Sequence, residues 1–227
     1  MKVTLLGAGA WGTAMASQAA RQLREEDVCL WSRNADQLEA IAQTGQNQAY
    51  LPGISLPKNL HLEGDFDAAV KRLGVDDLLV VATPMSGLSE TIARVLKVAD
   101  QPLNIVWLCK GLEPETALLP HQVVDREDRQ YSRGIQHAYG ALSGPSFAHE
   151  VGSGMPCALT VASSSERLCK IVQAAFHHGN MRVYGSDDVV GVELGGAIKN
   201  VLAIATGIGD GLGLGLNARA AVLTRGL

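Results

Sequence analysis

Aromatic residues are scarce in this sequence. Its cysteines do not have the spacing of a metal site or a disulfide motif, and its charges are not concentrated in a basic patch. Phe, Trp and Tyr together make up 4% of the 227 residues. The four cysteines, Cys29, Cys109, Cys157 and Cys169, form no CxxC pair and no metal-ligand spacing, which predicts free thiols in a reducing compartment and no metal site. The net charge of -4 lacks the basic excess that nucleic acids or anionic membranes attract. We therefore expect no nucleic-acid partner, and any anionic ligand must be held locally.

Long hydrophobic runs are also missing. The longest apolar segment, 194–209, falls short of the ~20 residues that span a bilayer, and it carries Lys199 and Asn200. The first twenty residues imitate a secretory signal, but Gly7, Gly9 and Gly12 interrupt their apolar stretch. The sequence therefore predicts a cytoplasmic protein with no membrane insertion.

Short apolar runs, by contrast, are frequent, and they alternate with helical patterns. The predicted helices cover 10–24, the segment from Asn34 to 44, and 165–177, with Asn34 as an N-cap. This alternation predicts an α/β fold, a Rossmann-type doubly wound and mostly parallel sheet with helices on both faces. The predicted strands are 2–7, 27–32, 60–62, 76–84, 102–111, 137–146, 156–163 and 180–185.

The pattern changes after Gly185, where only helical Ala/Gly/Leu sequence follows. We predict a dinucleotide-binding domain over 1–189 and the beginning of an all-helical domain over 190–227. The second segment is shorter than the ~50 residues of a small domain, which suggests a truncated chain. The glycine-rich tract 207–217 is interpreted as a loop between helices.

The first predicted strand runs directly into Gly7-Ala8-Gly9-Ala10-Trp11-Gly12, a GxGxxG pattern that opens a helix. Gly7 permits the tight turn, Gly9 lets backbone amides approach a pyrophosphate, and Gly12 lets the helix pack on the strand. The negative charge would face the helix N-terminus. A purely structural glycine turn is the alternative.

The end of the second strand bears on which dinucleotide would bind. NAD-selective sites place an acidic residue about 20 residues beyond the motif. This chain has Trp31-Ser32-Arg33-Asn34 there, and Arg33 could pair with a 2′-phosphate. NADP(H) is therefore favoured over NAD(H), unless Arg33 is simply a solvated surface residue.

Lys199 is the one charge between Leu194 and Gly209, and three interpretations are open. The segment could be a membrane span, the lysine could snorkel from a helix surface, or it could be a catalytic base. In a helix, Gly195 and Gly196 share its face and would leave room for a substrate.

Two further segments follow predicted strands. Lys110 follows the strand residues 103–108, at the carboxyl end where open α/β sheets bind ligands, although a surface lysine in a turn has the same pattern. The SGPS sequence at 143–146 is either an ordinary tight turn or a group of amides that faces an anion together with the Ser146 hydroxyl.

Four motifs together carry a resemblance: GAGAWGTA at 7–14, CKGLE at 109–113, LSGPSFAHEV at 142–151, and GVELGGAIKNVLAIATGIGDGLGLGLNARAA at 191–221. Across essentially its whole length the chain resembles the bacterial-type NAD(P)-dependent glycerol-3-phosphate dehydrogenases. The resemblance implies reduction of dihydroxyacetone phosphate to sn-glycerol 3-phosphate, the backbone of glycerophospholipids.

The resemblance also implies roles for individual residues. Lys199 matches the proton acceptor, and Lys110 matches a lysine that contacts both substrate and cofactor. The remaining matches are Gly144 and Ser146 for substrate, and Gly7, Gly9, Ala10, Trp11, Gly12, Ser32, Arg33 and Ala148 for the cofactor.

Family members continue into a helical domain that supplies an aspartate partner for the catalytic lysine and an Arg-Asn pair for the substrate phosphate. We therefore expect the 227-residue form to bind dinucleotide but to turn over poorly, and we expect a homodimer. Two other functions stay open: a two-domain 3-hydroxyacid or ketopantoate-type dehydrogenase, and a dinucleotide-sensing module without catalysis.

Overall fold

A single eight-stranded sheet organises the protein in the computed structural model, which describes residues 1–24 and 27–226. The strand order is β3-β2-β1-β4-β5-β6-β7-β8, and every neighbouring pair is parallel except β6 with β7. The predicted α/β sheet is confirmed, and each predicted strand is present. The strands are β1 (Val3–Leu6), β2 (Val28–Trp31), β3 (Leu60–Glu63), β4 (Leu78–Val81), β5 (Asn104–Trp107), β6 (Ala138–Ser143), β7 (Cys157–Ala162) and β8 (Met181–Ser186).

Helices connect the strands and cover both faces of the sheet. They are α1 (Ala10–Gln22), α2 (Ala35–Thr44), α3 (Phe66–Lys71), α4 (Leu88–Val98), α5 (Pro120–Tyr131), α6 (Ala148–Gly152), α7 (Glu166–Phe176), α8 (Val189–Gly211) and α9 (Gly215–Gly226), with a 3₁₀ turn at Met85–Gly87. Leu227, the last residue of the predicted helical segment, lies outside the described residues.

The apolar runs of the sequence reflect burial on both faces of the sheet. All residues of β1, β2, β4 and β5 are buried. One core cluster includes Met15 of α1 and Phe176 of α7, and the other includes Phe66 of α3 and Ile92 of α4. Strands covered on both faces need no polar alternation, so they read as continuous hydrophobic sequence.

The predicted start of α2 is confirmed by its capping contacts. The Asn34 side chain accepts a hydrogen bond from the Gln37 amide at 3.2 Å. The helix ends at Gly45, whose φ of 68° is left-handed. Asparagine at the start and glycine at the end are the usual boundary residues of a helix.

The interpretation of 207–217 as a loop is wrong over most of its length. α8 continues through Gly207 and Gly209 to Gly211, and α9 begins at Gly215. A glycine weakens a helix by about 1 kcal/mol relative to alanine, but it keeps its amide, so the hydrogen-bond ladder can continue.

The helix that contains segment 194–209 is longer than the sequence predicts, so its length does not exclude a membrane span. α8 has 23 residues with a mean hydropathy of 1.4, so by length and composition alone it could cross a membrane. α8 packs on β6 and α5. This placement brings Lys199 to the sheet.

Candidate active site

A cleft of about 1030 Å³ opens at the carboxyl ends of the parallel strands. It lies where the chain leaves β1 and β4, on either side of the point at which the strand order reverses, the usual ligand position in such sheets. Ten predicted site residues line it: Gly7, Gly9, Ala10, Trp11, Ser32, Arg33, Lys110, Ser146, Ala148 and Lys199.

The three motif glycines have different steric surroundings. Gly7 has a φ of 121°, and a Cβ there would lie 3.0 Å from the Ala82 carbonyl oxygen. A Cβ on Gly12 would lie 2.0 Å from the Gly7 oxygen, so Gly12 allows α1 to pack on the turn and does not line the cleft. A Cβ on Gly9 would have no neighbour within 4 Å among the described residues, which leaves space for a ligand.

The N-terminus of α1 faces this space without a side-chain cap. Its N-cap residue is Gly9, and within the described part of the chain no side chain bonds to the cap and no acid occupies the first turn. The first amide with an intrahelical partner is that of Thr13, which donates to the Gly9 carbonyl at 2.9 Å. The preceding amides can therefore bind an anion such as a pyrophosphate.

Two side chains that the sequence analysis missed hold the glycine turn in place. Asn47 is 1% exposed and donates to the Ala8 carbonyl at 2.9 Å and to Thr13 Oγ1 at 2.8 Å. Gln37 donates to the same Ala8 carbonyl at 2.6 Å. Both are single polar residues far from the motif in sequence, and no local pattern points to them.

The turn after β2 forms another wall of the cleft. Ser32 Oγ donates to Gln37 Oε1 at 2.8 Å and accepts from the Asn34 amide at 3.2 Å, so this hydroxyl orders the turn. Arg33 is exposed and lines the cleft, as does Arg94, whose guanidinium lies 4.0 Å from the Phe66 ring centroid. Arg94 lies on α4, outside every sequence motif, so it could not be predicted as a site residue.

The two candidate lysines meet at one backbone carbonyl. Lys110 Nζ donates to the Gly144 oxygen at 3.0 Å, and Lys199 Nζ lies 3.5 Å from the same oxygen. Gly144 thus belongs to the site through its carbonyl, although it does not line the cleft. A Cβ at Gly144 would lie 2.7 Å from the Ala158 oxygen, so the close approach of β6 and β7 requires glycine.

Burial and the neighbouring Lys199 lower the pKa of Lys110 to about 8. A group with a pKa near the working pH can both hold and release a proton, which suits general acid–base chemistry. From the sequence, Lys110 is predicted to have only a binding role. Part of the shift comes from Lys199, which is 89 positions away in the sequence, so no local pattern reveals it.

Gly196 does not leave room for a substrate, contrary to the sequence-based expectation. A Cβ there would lie 2.8 Å from Ser143 Oγ and 3.6 Å from Lys110 Cγ, so the space is filled by protein. Gly196 instead lets α8 lie directly against β6. A Cβ on Gly195 would meet no described atom within 4 Å, as predicted for an open position.

The segment after β6 completes the inner end of the cleft. Ser146 Oγ donates to the Gly144 carbonyl at 3.4 Å, and Ala148 begins α6.

All four cysteines are free, as the sequence predicts. In residues 1–24 and 27–226, no group of three or more His, Cys, Asp or Glu side chains could hold a metal ion.

Comparisons with known proteins agree with this geometry. The family model described as the NAD-dependent glycerol-3-phosphate dehydrogenase N-terminus matches residues 2–169, and the C-terminus model matches residues 188–227. A glycerol-3-phosphate dehydrogenase [NAD(P)+] from Polynucleobacter necessarius is 78% identical over all of this chain and 67% of its own length.

Solved structures give the same result. Glycerol-3-phosphate dehydrogenase from Coxiella burnetii matches with a TM-score of 0.87 and 38% identity over 99% of this chain and 66% of the other. The Saccharomyces cerevisiae enzyme matches with a TM-score of 0.82 and 30% identity over 100% of this chain and 67% of the other. The chain thus spans about two thirds of the length of these relatives. Both family models and a relative 78% identical over the full chain establish that this protein belongs to the NAD-dependent glycerol-3-phosphate dehydrogenase family, a family of NAD(P)-dependent oxidoreductases.

Proposed function

We propose that this protein reduces dihydroxyacetone phosphate to sn-glycerol 3-phosphate for glycerophospholipid synthesis, with NADPH favoured over NADH, in the cytoplasm. The observation that carries the proposal is the convergence of Lys110 and Lys199 on the Gly144 carbonyl, within the cleft that the glycine turn opens. Two amines at one point suit a substrate that bears a phosphate and a carbonyl group. The homodimer and the domain boundary after residue 189 stay predictions.

In the proposed reaction the bound nicotinamide supplies the hydride. Lys199 Nζ donates a proton to the carbonyl oxygen of the substrate as that oxygen becomes an alkoxide. Lys110 binds the substrate. Because its pKa is lowered to about 8, part of its positive charge beside Lys199 is already lost close to neutral pH. Ser146 and the amides around it orient the substrate at the inner end of the cleft.

The activity can be tested under single-turnover conditions, with protein in excess of NADPH. Adding dihydroxyacetone phosphate should oxidise the bound NADPH, seen as a loss of the nicotinamide absorbance band. Single turnover detects slow chemistry because each site has to react only once. Dihydroxyacetone, which lacks the phosphate, should react much more slowly at the same concentration.

Faster NADPH oxidation by ketopantoate or a 3-oxoacid than by dihydroxyacetone phosphate would refute the proposed substrate. A sensing module would bind NADPH and leave it unoxidised with every one of these compounds.

Replacing Arg33 with glutamine should weaken NADPH binding by ~10-fold to ~100-fold and leave NADH binding unchanged. Hydrogen bonds to charged groups contribute about 1.5–3 kcal/mol, and only NADPH carries the 2′-phosphate that Arg33 would bind. Fluorescence titration of both cofactors measures the ratio. Arg129→Gln on the exposed side of α5 is the matched control, and an equal loss for NADH and NADPH would contradict the assigned role.

A further inference from the structure

α8 is mostly exposed, yet one of its acidic residues is buried. Glu193 is 5% exposed and is the one buried residue in the described helix Val189–Gly211. Burying a carboxylate without partners is costly, so its contacts should reveal what holds it. Burial raises the pKa of Glu193, and hydrogen bonds from His121 and Trp107 act in the opposite direction.

Three hydrogen-bonding groups from two other elements surround the Glu193 carboxylate. Trp107 Nε1 and the His121 backbone amide each donate to Oε1 at 2.9 Å. His121 Nδ1 lies 2.5 Å from Oε2. Glu193 therefore connects α8 both to the end of β5 and to the beginning of α5.

These contacts lie next to both lysines of the candidate active site. Trp107 is the last residue of β5, three positions before Lys110, and Glu193 is six positions before Lys199 on α8. Between them, Gly196 lets α8 approach the Lys110 stem, since its Cβ position is only 3.6 Å from Lys110 Cγ. One carboxylate thus joins the two segments that carry the amines.

We propose that Glu193 is a positioning residue that holds α8 against β5 and α5 and so sets the separation of the Lys110 and Lys199 amines. The proposal rests on the proposed function only in treating the lysines as reacting groups. The separation of the two amines is a property of the folded chain alone. It can be tested without turnover or bound cofactor.

The readout is the pKa of Lys110, measured by NMR on protein whose lysines are reductively methylated with ¹³C-formaldehyde. A Lys110→Arg variant assigns its signal among the seven lysines. In the unchanged protein Lys110 should titrate well below the ordinary lysine value, since burial and Lys199 lower its pKa to about 8. In Glu193→Ala, α8 should loosen, which exposes Lys110 to solvent and moves Lys199 away, so the pKa of Lys110 should rise by ~1 unit or more.

The direction of the shift separates positioning from a direct charge effect. Removing a nearby negative charge disfavours an ammonium and would lower the pKa of Lys110. Loss of the contact with Lys199 raises it. Glu193→Gln keeps an acceptor oxygen for Trp107 and the His121 amide, so this conservative variant should restore the low value.

Glu127→Ala is the matched control for a general loss of stability. Glu127 is 6% exposed on α5 and bonds to Ser89 and Arg126, so its removal also opens a buried polar network. It should leave the pKa of Lys110 unchanged. Trp107→Phe, which removes one donor and keeps the carboxylate, covers the case in which Glu193→Ala does not fold. A pKa of Lys110 that stays near 8 in folded Glu193→Ala or Trp107→Phe overturns the proposal, as does a rise of equal size in Glu127→Ala.

Discussion

Replacing Lys199 with methionine should slow the single-turnover oxidation of NADPH by dihydroxyacetone phosphate by ~10²-fold to ~10⁴-fold, the usual contribution of a general acid or base. Methionine keeps an unbranched apolar stem of similar length and removes only the amine that lies 3.5 Å from the Gly144 oxygen. The glycine turn and the turn after β2 that carries Arg33 stay intact, so the affinity for NADPH should hardly change.

Lys110→Met decides which amine moves the proton. If Lys110 only binds the substrate, its loss should raise the substrate concentration needed for half-maximal rate, and the saturated rate should fall less than in Lys199→Met. Lys170→Met, which removes an exposed lysine paired with Glu166, controls for loss of surface charge. A saturated rate that survives in Lys199→Met and is abolished in Lys110→Met would transfer the acid–base role to Lys110.

The sheet and the glycine turn could be predicted because their causes are local. β1 and β4 are buried on both faces, so each appears as an uninterrupted apolar run. The glycines at 7 and 12 are required by contacts within the turn itself or with the neighbouring strand. Such requirements leave a visible spacing in the sequence.

The parts that could not be predicted depend on contacts between distant segments. Glu193 is 86 residues from Trp107 and 72 from His121. The pKa of Lys110 is lowered first by burial and then by Lys199, which α8 brings beside it. Glu193 stands in the same quoted motif as Lys199, but an acid in an amphipathic helix is ordinarily a solvated residue. Its burial is decided by β5 and α5.

At the C-terminal end of α8 a local rule, that closely spaced glycines form a loop, gave a wrong prediction. Glycines at 207, 209 and 211 suggested a loop, yet all three lie within α8. A Cβ at any of them would have no described neighbour within 4 Å, so nothing in the packing requires glycine there. The composition predicted a break in the helix, but α8 continues through all three glycines.

Replacing Gly12 with alanine should destabilise the protein, whereas replacing Gly9 with alanine should affect only the cofactor. A Cβ at Gly12 would lie 2.0 Å from the Gly7 oxygen and 2.9 Å from Ala82 Cβ, and Gly7 is itself packed on Ala82. Overpacking costs about 1–3 kcal/mol, and each kcal/mol lowers Tm by ~2–4 °C in a domain of this size, so we expect a loss of ~2–12 °C.

Gly9→Ala makes a matched comparison because the methyl group meets no described atom within 4 Å and points into open space. Its Tm without ligand should equal that of the unchanged protein, since nothing in the fold is displaced. NADPH raises Tm in proportion to its binding free energy, and this rise should be largely lost in Gly9→Ala because the methyl group occupies the approach of a pyrophosphate to the α1 amides. Thermal unfolding with and without NADPH therefore separates the two roles in one experiment. A full NADPH-dependent rise in Gly9→Ala would mean that the glycine turn is structural alone, and an unchanged Tm in Gly12→Ala would refute the packing of α1 on that turn.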